Sequence, residues 1–138
     1  MIADRPVIDR VNTHVNSLIR YKTDRENYGT SEHWAKPSEI ESRMCGDCED
    51  YAIYKAYLLV RDFHCDPAQF RLAVVRHPDI TGGHIVLLAE CEERCGFLLR
   101  RKRYVSYVLD NRTDYLATLE KSGYTIERDY PVDKFIVG

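Results

Sequence analysis

Apolar residues at Val7, Val11, Val15, Leu18 and Ile19 recur every three or four positions, the spacing of one face of an amphipathic helix. Asp4 as N-cap and Pro6 in the first turn place its start. The stretch 23–36 is polar, carries Gly29 and Trp34 and has no period, which predicts a loop leading to a short helical turn over 38–43. Ala52, Ile53, Ala56, Leu59, Val60 and Phe63 then predict a central helix opening near Cys48. After Asp66-Pro67 the pattern changes to extended runs rich in β-branched and aromatic residues. Strands are expected over 70–77, 84–90 and 104–109, with a turn over 78–83 between the first two. Residues 115–121 read as a helical turn and 134–137 as a short edge strand. Helices first and an antiparallel sheet afterwards make an α+β fold, with 1–138 as a single domain.

Composition narrows the function classes. With 44% hydrophobic and 30% charged residues the chain reads as an ordinary soluble globular protein. A net charge of −2 gives no global pull toward nucleic acid, and no apolar run approaches the roughly 20 residues of a membrane span. The first seven residues lack the basic-then-apolar layout of a secretory signal. Either the protein works where it is made or a leader has been removed. Five cysteines form an odd set, compatible with two bridges and a free thiol or with five reduced thiols. Cys91 and Cys95 bracket an expected turn, so outside a reducing compartment they should be oxidised to each other.

Candidate chemistry centres on Gly46-Asp47-Cys48-Glu49-Asp50-Tyr51-Ala52. A thiol at a helix N-terminus meets unpaired N–H groups and the positive end of the dipole, which favour the thiolate. Asp47, Glu49 and Asp50 oppose that ionisation, so a histidinium partner or a bound cation must offset them. His84 opens one predicted strand and Asp110 ends the next; in an antiparallel pair these ends are neighbours. Cys48, His84 and Asp110 would supply nucleophile, base and orienting carboxylate. On positions alone, Cys48 as a buried helix-start thiol and His84 as a satisfied strand residue stay open.

Trp34 with Pro37, the block around Cys48 with Lys55, Arg71-Leu72-Ala73-Val74-Val75, Gly83-His84-Ile85-Val86-Leu87 and Val108-Leu109-Asp110-Asn111 occur in an order that resembles the bacterial transglutaminase-like cysteine peptidases. A weaker echo follows in Tyr130-Pro131 and Phe135. The resemblance implies a papain-like, transglutaminase-like core, with Cys48 as nucleophile, His84 as general base and acid, and Asp110 orienting the imidazole. It also implies a calcium site at Asp47, Glu49, Asp50 and Asn111, and Ca²⁺ suits clustered hard oxygen ligands. Asp47 as helix cap with Glu49 and Asp50 in the first turn is the plainer reading of the same residues. By this resemblance the substrate is a protein, such as a surface adhesin cut between small residues, a regulatory protein partner is admitted, and the location is periplasmic if a leader was removed, cytoplasmic if this N-terminus is native. Transglutamination is the same chemistry with an amine resolving the thioester.

The chain departs from the family pattern in a short N-terminal portion and in the segment from Cys91 to Arg103, where relatives carry a shorter, less charged hairpin. From another class, Cys45, Cys48, Cys91 and Cys95 have the spacing of a structural zinc set, which would make the chain a noncatalytic interaction module. Arg100, Arg101, Lys102 and Arg103 read as a solvated face, with an acidic partner or acidic residues flanking the cut as the functional alternative. Trp34 is expected in the core. His77 is a second candidate base, and His14, His33 and His64 are expected at the surface.

Overall fold

The computed structural model describes residues 3–29 and 34–137. Helix α1 spans Arg5–Leu18, with the Asp4 carboxylate accepting from the Val7 N–H, and buries Ile8, Val11 and Val15. Leu18, expected on the apolar face, is exposed, and that face instead takes in the polar Asn12. Its Oδ1 accepts from the buried Lys55 Nζ at 2.7 Å, which satisfies two groups that would each be costly alone. Burial pushes Lys55 down to about 7, against the attraction of Asp110 and Asp114.

The expected loop holds structure of its own. Strand β1 (Arg20–Tyr21) pairs in parallel with β2 (Cys45–Gly46), and helix α2 (Asp24–Tyr28) starts at a Thr23 cap whose Oγ1 accepts from the Glu26 N–H. Elements this short leave no periodicity to read. Helix α3 (Pro37–Arg43) and the central α4 (Cys48–Arg61) follow, and α4 lies between α1 and the sheet.

The sheet contains β3 (Phe70–Arg76), β4 (His84–Cys95), β5 (Arg101–Leu109), β6 (Ala117–Thr118) and β7 (Thr125–Pro131), in the order β6-β5-β4-β3-β7. All its pairings are antiparallel. The helical turn expected over 115–121 resolves into β6 followed by the short α5 (Leu119–Ser122). The edge strand expected over 134–137 is a 3₁₀ turn at Asp133–Phe135; the edge is β7, which went unpredicted because it is exposed and charged. Its Asp129 pairs with Arg71 at 2.8 Å and its Glu127 with Arg76, charges that also protect a sheet edge from further pairing.

Central β4 is covered on both sides, which explains its nearly continuous apolar run. Leu87 and Ala89 join the core under α4, with Ile85 packed against it. Val86 and Leu88 join Ala73, Val75 and Val108 in a second layer closed by Leu119 and Tyr124. Alternation along the strand puts His84 on this second side. Cys91 and Cys95 both lie in β4, opposite Val105 and Arg101. Four residue steps along the strand separate them by about 13 Å, and a disulfide needs Cα atoms within about 7 Å, so the expected bridge cannot form. The turn falls at 96–100, beyond both cysteines.

Candidate active site

Chain direction changes from β2 to α4 at the single residue Asp47, which places Cys48 first in the helix. The Asp47 N–H donates to Asp50 Oδ2 at 3.1 Å, closing the helix start. Gly46 makes room for this cap, because a Cβ there would stand 2.5 Å from the Asp50 side chain. Alongside, the Lys22 N–H donates to Gly46 O at 2.8 Å and Asn27 Nδ2 to Cys45 O at 3.3 Å, so α2 is laid against β2. That docking delivers Asp24. One carboxylate oxygen each from Asp24, Asp47 and Glu49 lie within 4.8 Å of one another, and Asp47 Oδ1 and Asp50 Oδ1 are buried with no hydrogen-bond donor.

Such a cluster resists ionisation. Burial and the Asp47 carboxylate push Glu49 up to about 9 and Asp50 up to about 8, and burial also raises Asp47. The thiol shares the penalty: burial, then the charges of Glu49 and Asp47, push Cys48 up to about 12 against a main-chain hydrogen bond from Ile85. Cys48 Sγ lies 3.7 Å from Glu49 Oε2.

His84 and Asp110 are brought together as expected, with Nε2 2.8 Å from Asp110 Oδ1, both side chains buried. Asp110 Oδ1 also accepts from the Arg112 N–H, and its main-chain oxygen accepts from Asn16 Nδ2 at 2.9 Å. The second carboxylate oxygen accepts from the Tyr124 hydroxyl, and the Tyr124 ring lies 6.0 Å from the His84 ring. Burial alone would raise Asp110; the hydrogen bonds from His84 and Tyr124 overcome it and hold the carboxyl below its ordinary range. Tyr124 itself is pushed up by burial and by Asp110.

Cys48 stands on the α4 side of the sheet, by Ile85, and no hydrogen bond joins it to His84 among the described residues. Its groove, about 560 Å³, is lined by Trp34, Cys48, Glu49, Ile85, Arg128 and Phe135, among others. Trp34 is 49% exposed and packs at a tilt on Phe135, ring centroids 5.3 Å apart, so it forms a groove wall and not the expected core. Asn111 follows Asp110 in the turn after β5, its Oδ1 buried without a hydrogen-bond partner.

Other expectations change. The sole group of three or more potential metal-ligating acidic, histidine or cysteine side chains among the described residues is the acidic one, so Cys45, Cys48, Cys91 and Cys95 form no zinc set. Cys91 and Cys95 lie far along β4 from the end where Cys48 sits. His77 packs edge-on to Tyr124 at 5.6 Å, close over Gly123, and its Nδ1 accepts from the Asp79 N–H. It serves that turn. His14 and His64 are exposed, and His33 lies outside the described residues. Two site residues escaped the sequence reading. For Asp24 a signal existed, since Thr23 and Glu26 have the spacing of a capping box and mark a helix start. Tyr124 had none, because its contact with Asp110 depends on how the second layer closes.

The model of the bacterial transglutaminase-like cysteine proteinases matches residues 3–130. The chain belongs to this family. Solved structures of LapG from Legionella pneumophila share the fold at 20% identity: the calcium-bound form has a TM-score of 0.72, and the EGTA-treated form 0.71. Each comparison covers 91% of this chain but only 64% and 62%, respectively, of the LapG chain. Among curated proteins, none matches. Family membership makes this a cysteine proteinase fold of α+β class, with helices packed on a five-stranded antiparallel sheet.

Proposed function

We propose that the chain is a calcium-dependent cysteine endopeptidase in which Cys48 is the nucleophile, His84 the base and then the acid, and Asp110 the residue that orients His84. The observation that carries the reading is the buried His84–Asp110 hydrogen bond beside a groove that holds a helix-start thiol. With Nε2 turned to Asp110, His84 Nδ1 is the nitrogen left for the thiol. The free protein does not make that bond, and catalytic hydrogen bonds of this kind are often formed only when substrate is bound. The thiolate adds to the scissile carbonyl, the Cys48 N–H helps hold the oxyanion, and His84 protonates the departing amine; water then resolves the thioester with His84 as base.

Asp24, Asp47 and Glu49 would hold the cation; Asp50, bonded to the Asp47 N–H, and Asn111, in the turn after β5, each have a buried, unpartnered oxygen to offer. These hard oxygen donors fit Ca²⁺. A dication there supplies positive charge that neutralises the acidic cluster. With the cluster neutralised, the Cys48 thiol would ionise more readily than it does beside free carboxylates. The substrate is an extended polypeptide laid along the groove. The Trp34–Phe135 wall grips it from one side, small residues flank the cut, and Arg128 and Lys134 favour acidic neighbours. The basic run at 100–103 does not serve this purpose, since it lies at the start of β5 opposite Glu93 to Cys95, roughly 30–35 Å along the sheet from His84.

Labelling with a peptidyl electrophile tests the reading. In calcium, Cys48 should be modified first among the cysteines. His84→Ala and excess EGTA should each slow that modification by more than about tenfold. Equal rates with and without His84 would remove the triad. Tyr124 acts as a positioning residue in the same scheme. Tyr124→Phe should lower kcat by about tenfold with KM little changed, the scale of one hydrogen bond to a charged group. It should also move the acid limb of the pH profile upward, because Asp110 loses a bond that holds its pKa down. An unmoved acid limb would make Tyr124 a packing residue only.

A further inference from the structure

β3 pairs with β4 only as far as Ala89, and β6 meets β5 only at Tyr107 and Val108. Beyond these points, from Glu90 to Cys95 and from Arg101 to Ser106, β4 and β5 pair with each other alone. They form a two-stranded ribbon that runs about 20 Å past the neighbouring strands, rooted in the core by Cys91 and Val105. At its end Phe97, Leu98 and Leu99 are 85%, 66% and 62% exposed. Three consecutive large apolar side chains on a convex tip leave water only by entering another phase or a partner.

The charge around the tip decides between these. Arg94, Arg100, Arg101, Lys102 and Arg103 ring the stem just behind it. Glu92 and Glu93 lie 3.6 and 3.9 Å from Lys102 and Arg103, which leaves a cationic excess nearest the apolar end. An apolar wedge backed by a collar of arginine and lysine matches the layering of an anionic bilayer, hydrocarbon beneath phosphate. A protein partner would need a deep apolar pocket with an acidic rim, a narrower requirement. We propose that this hairpin is a membrane-docking element that inserts Phe97, Leu98 and Leu99 among the acyl chains of an anionic phospholipid surface while the cationic collar engages the headgroups. The tip lies at the opposite end of β4 from His84, so docking would hold the groove roughly 35 Å from the surface.

Vesicle flotation measures this directly and does not depend on catalysis. The protein should float with phosphatidylglycerol–phosphatidylethanolamine vesicles at low salt and not with phosphatidylcholine, and binding should fall steeply as salt rises. Replacing Phe97, Leu98 and Leu99 together by Ser should weaken it by at least about tenfold, and Arg100→Gln with Arg101→Gln by roughly tenfold. Both variants should keep the melting temperature and the Cys48 labelling rate. In a Trp34→Phe background, Phe97→Trp should shift its emission to the blue on anionic vesicles and be quenched by brominated acyl chains. No flotation at low salt, or flotation that survives loss of the apolar tip, overturns the proposal. Self-association, or binding to an acidic protein, that is lost with the tip while vesicles are ignored would assign the hairpin to a protein contact instead.

Discussion

Replacing Cys48 by alanine is expected to lower peptide hydrolysis by about 10⁴-fold or more, whereas replacing Cys45, Cys65, Cys91 or Cys95 by serine leaves most of it. Cys48 alone among the five lines the groove and begins a helix. Cys45 is buried under α2, 3.4 Å from Asn27 Oδ1; Cys65 lies against Phe63 O and Cys91 against Ala3 O. Cys95 is far out on the hairpin. Cys65, Cys91 and Cys95 lie away from the groove, and the Cys45 sulfur contacts Asn27 rather than His84 or Asp110, so the loss falls on stability and not on turnover. Burial and the carboxylates that push the Cys48 thiol up to about 12 also make it a poor nucleophile until the acidic cluster is neutralised. The measurement is kcat/KM in calcium for the five single variants, each with its melting curve. Substantial hydrolysis by the Cys48 variant would place the nucleophile elsewhere.

Long, strongly periodic elements were legible in the sequence, and short ones held by tertiary bonds were not. α1 and α4 are each 14 residues long and show their buried faces at helical spacing, and β3 and β4 carry β-branched runs bounded by turns. β1, β2 and β6 contain two residues each and exist because of their partners, while β7 is too charged to look like a strand. The site divides along the same line. His84 beside Asp110 followed from strand pairing alone. Asp24 entered the acidic group only because the β1–β2 bridge folds α2 onto the start of α4, and Tyr124 reached Asp110 through the second layer of the sheet. The cysteine pair in the hairpin deceives because the turn lies five residues beyond the position they bracket: with the strand extended through Cys95, the two sulfurs move apart instead of together.

Calcium is expected to raise the melting temperature, and by more at pH 8 than at pH 5. Glu49 and Asp50 titrate near 9 and 8 in the folded protein without a cation, against about 4.3 and 3.9 in an unfolded chain. Between those limits the folded state holds protons that the unfolded state has lost, so the cation-free protein loses stability as pH rises through this window. With a dication among Asp24, Asp47 and Glu49 the carboxylates are ionised in both states, and that loss disappears. Lys55, pushed down to about 7, and Asp110, held low, bend the stability curve as well, but they do so with and without the ion. The difference between melting temperatures in calcium and in EGTA therefore isolates the acidic cluster. It should widen steadily from pH 5 to pH 8, and each tenfold excess of calcium over Kd should add about 1.4 kcal/mol, roughly 4 °C for a chain of this size. Calorimetric titration should show proton release on binding at pH 7. Zinc, with no thiolate set to hold it, should not reproduce the effect. A melting temperature indifferent to calcium, or a calcium effect of the same size at pH 5 and pH 8, would mean that these carboxylates do not form the site.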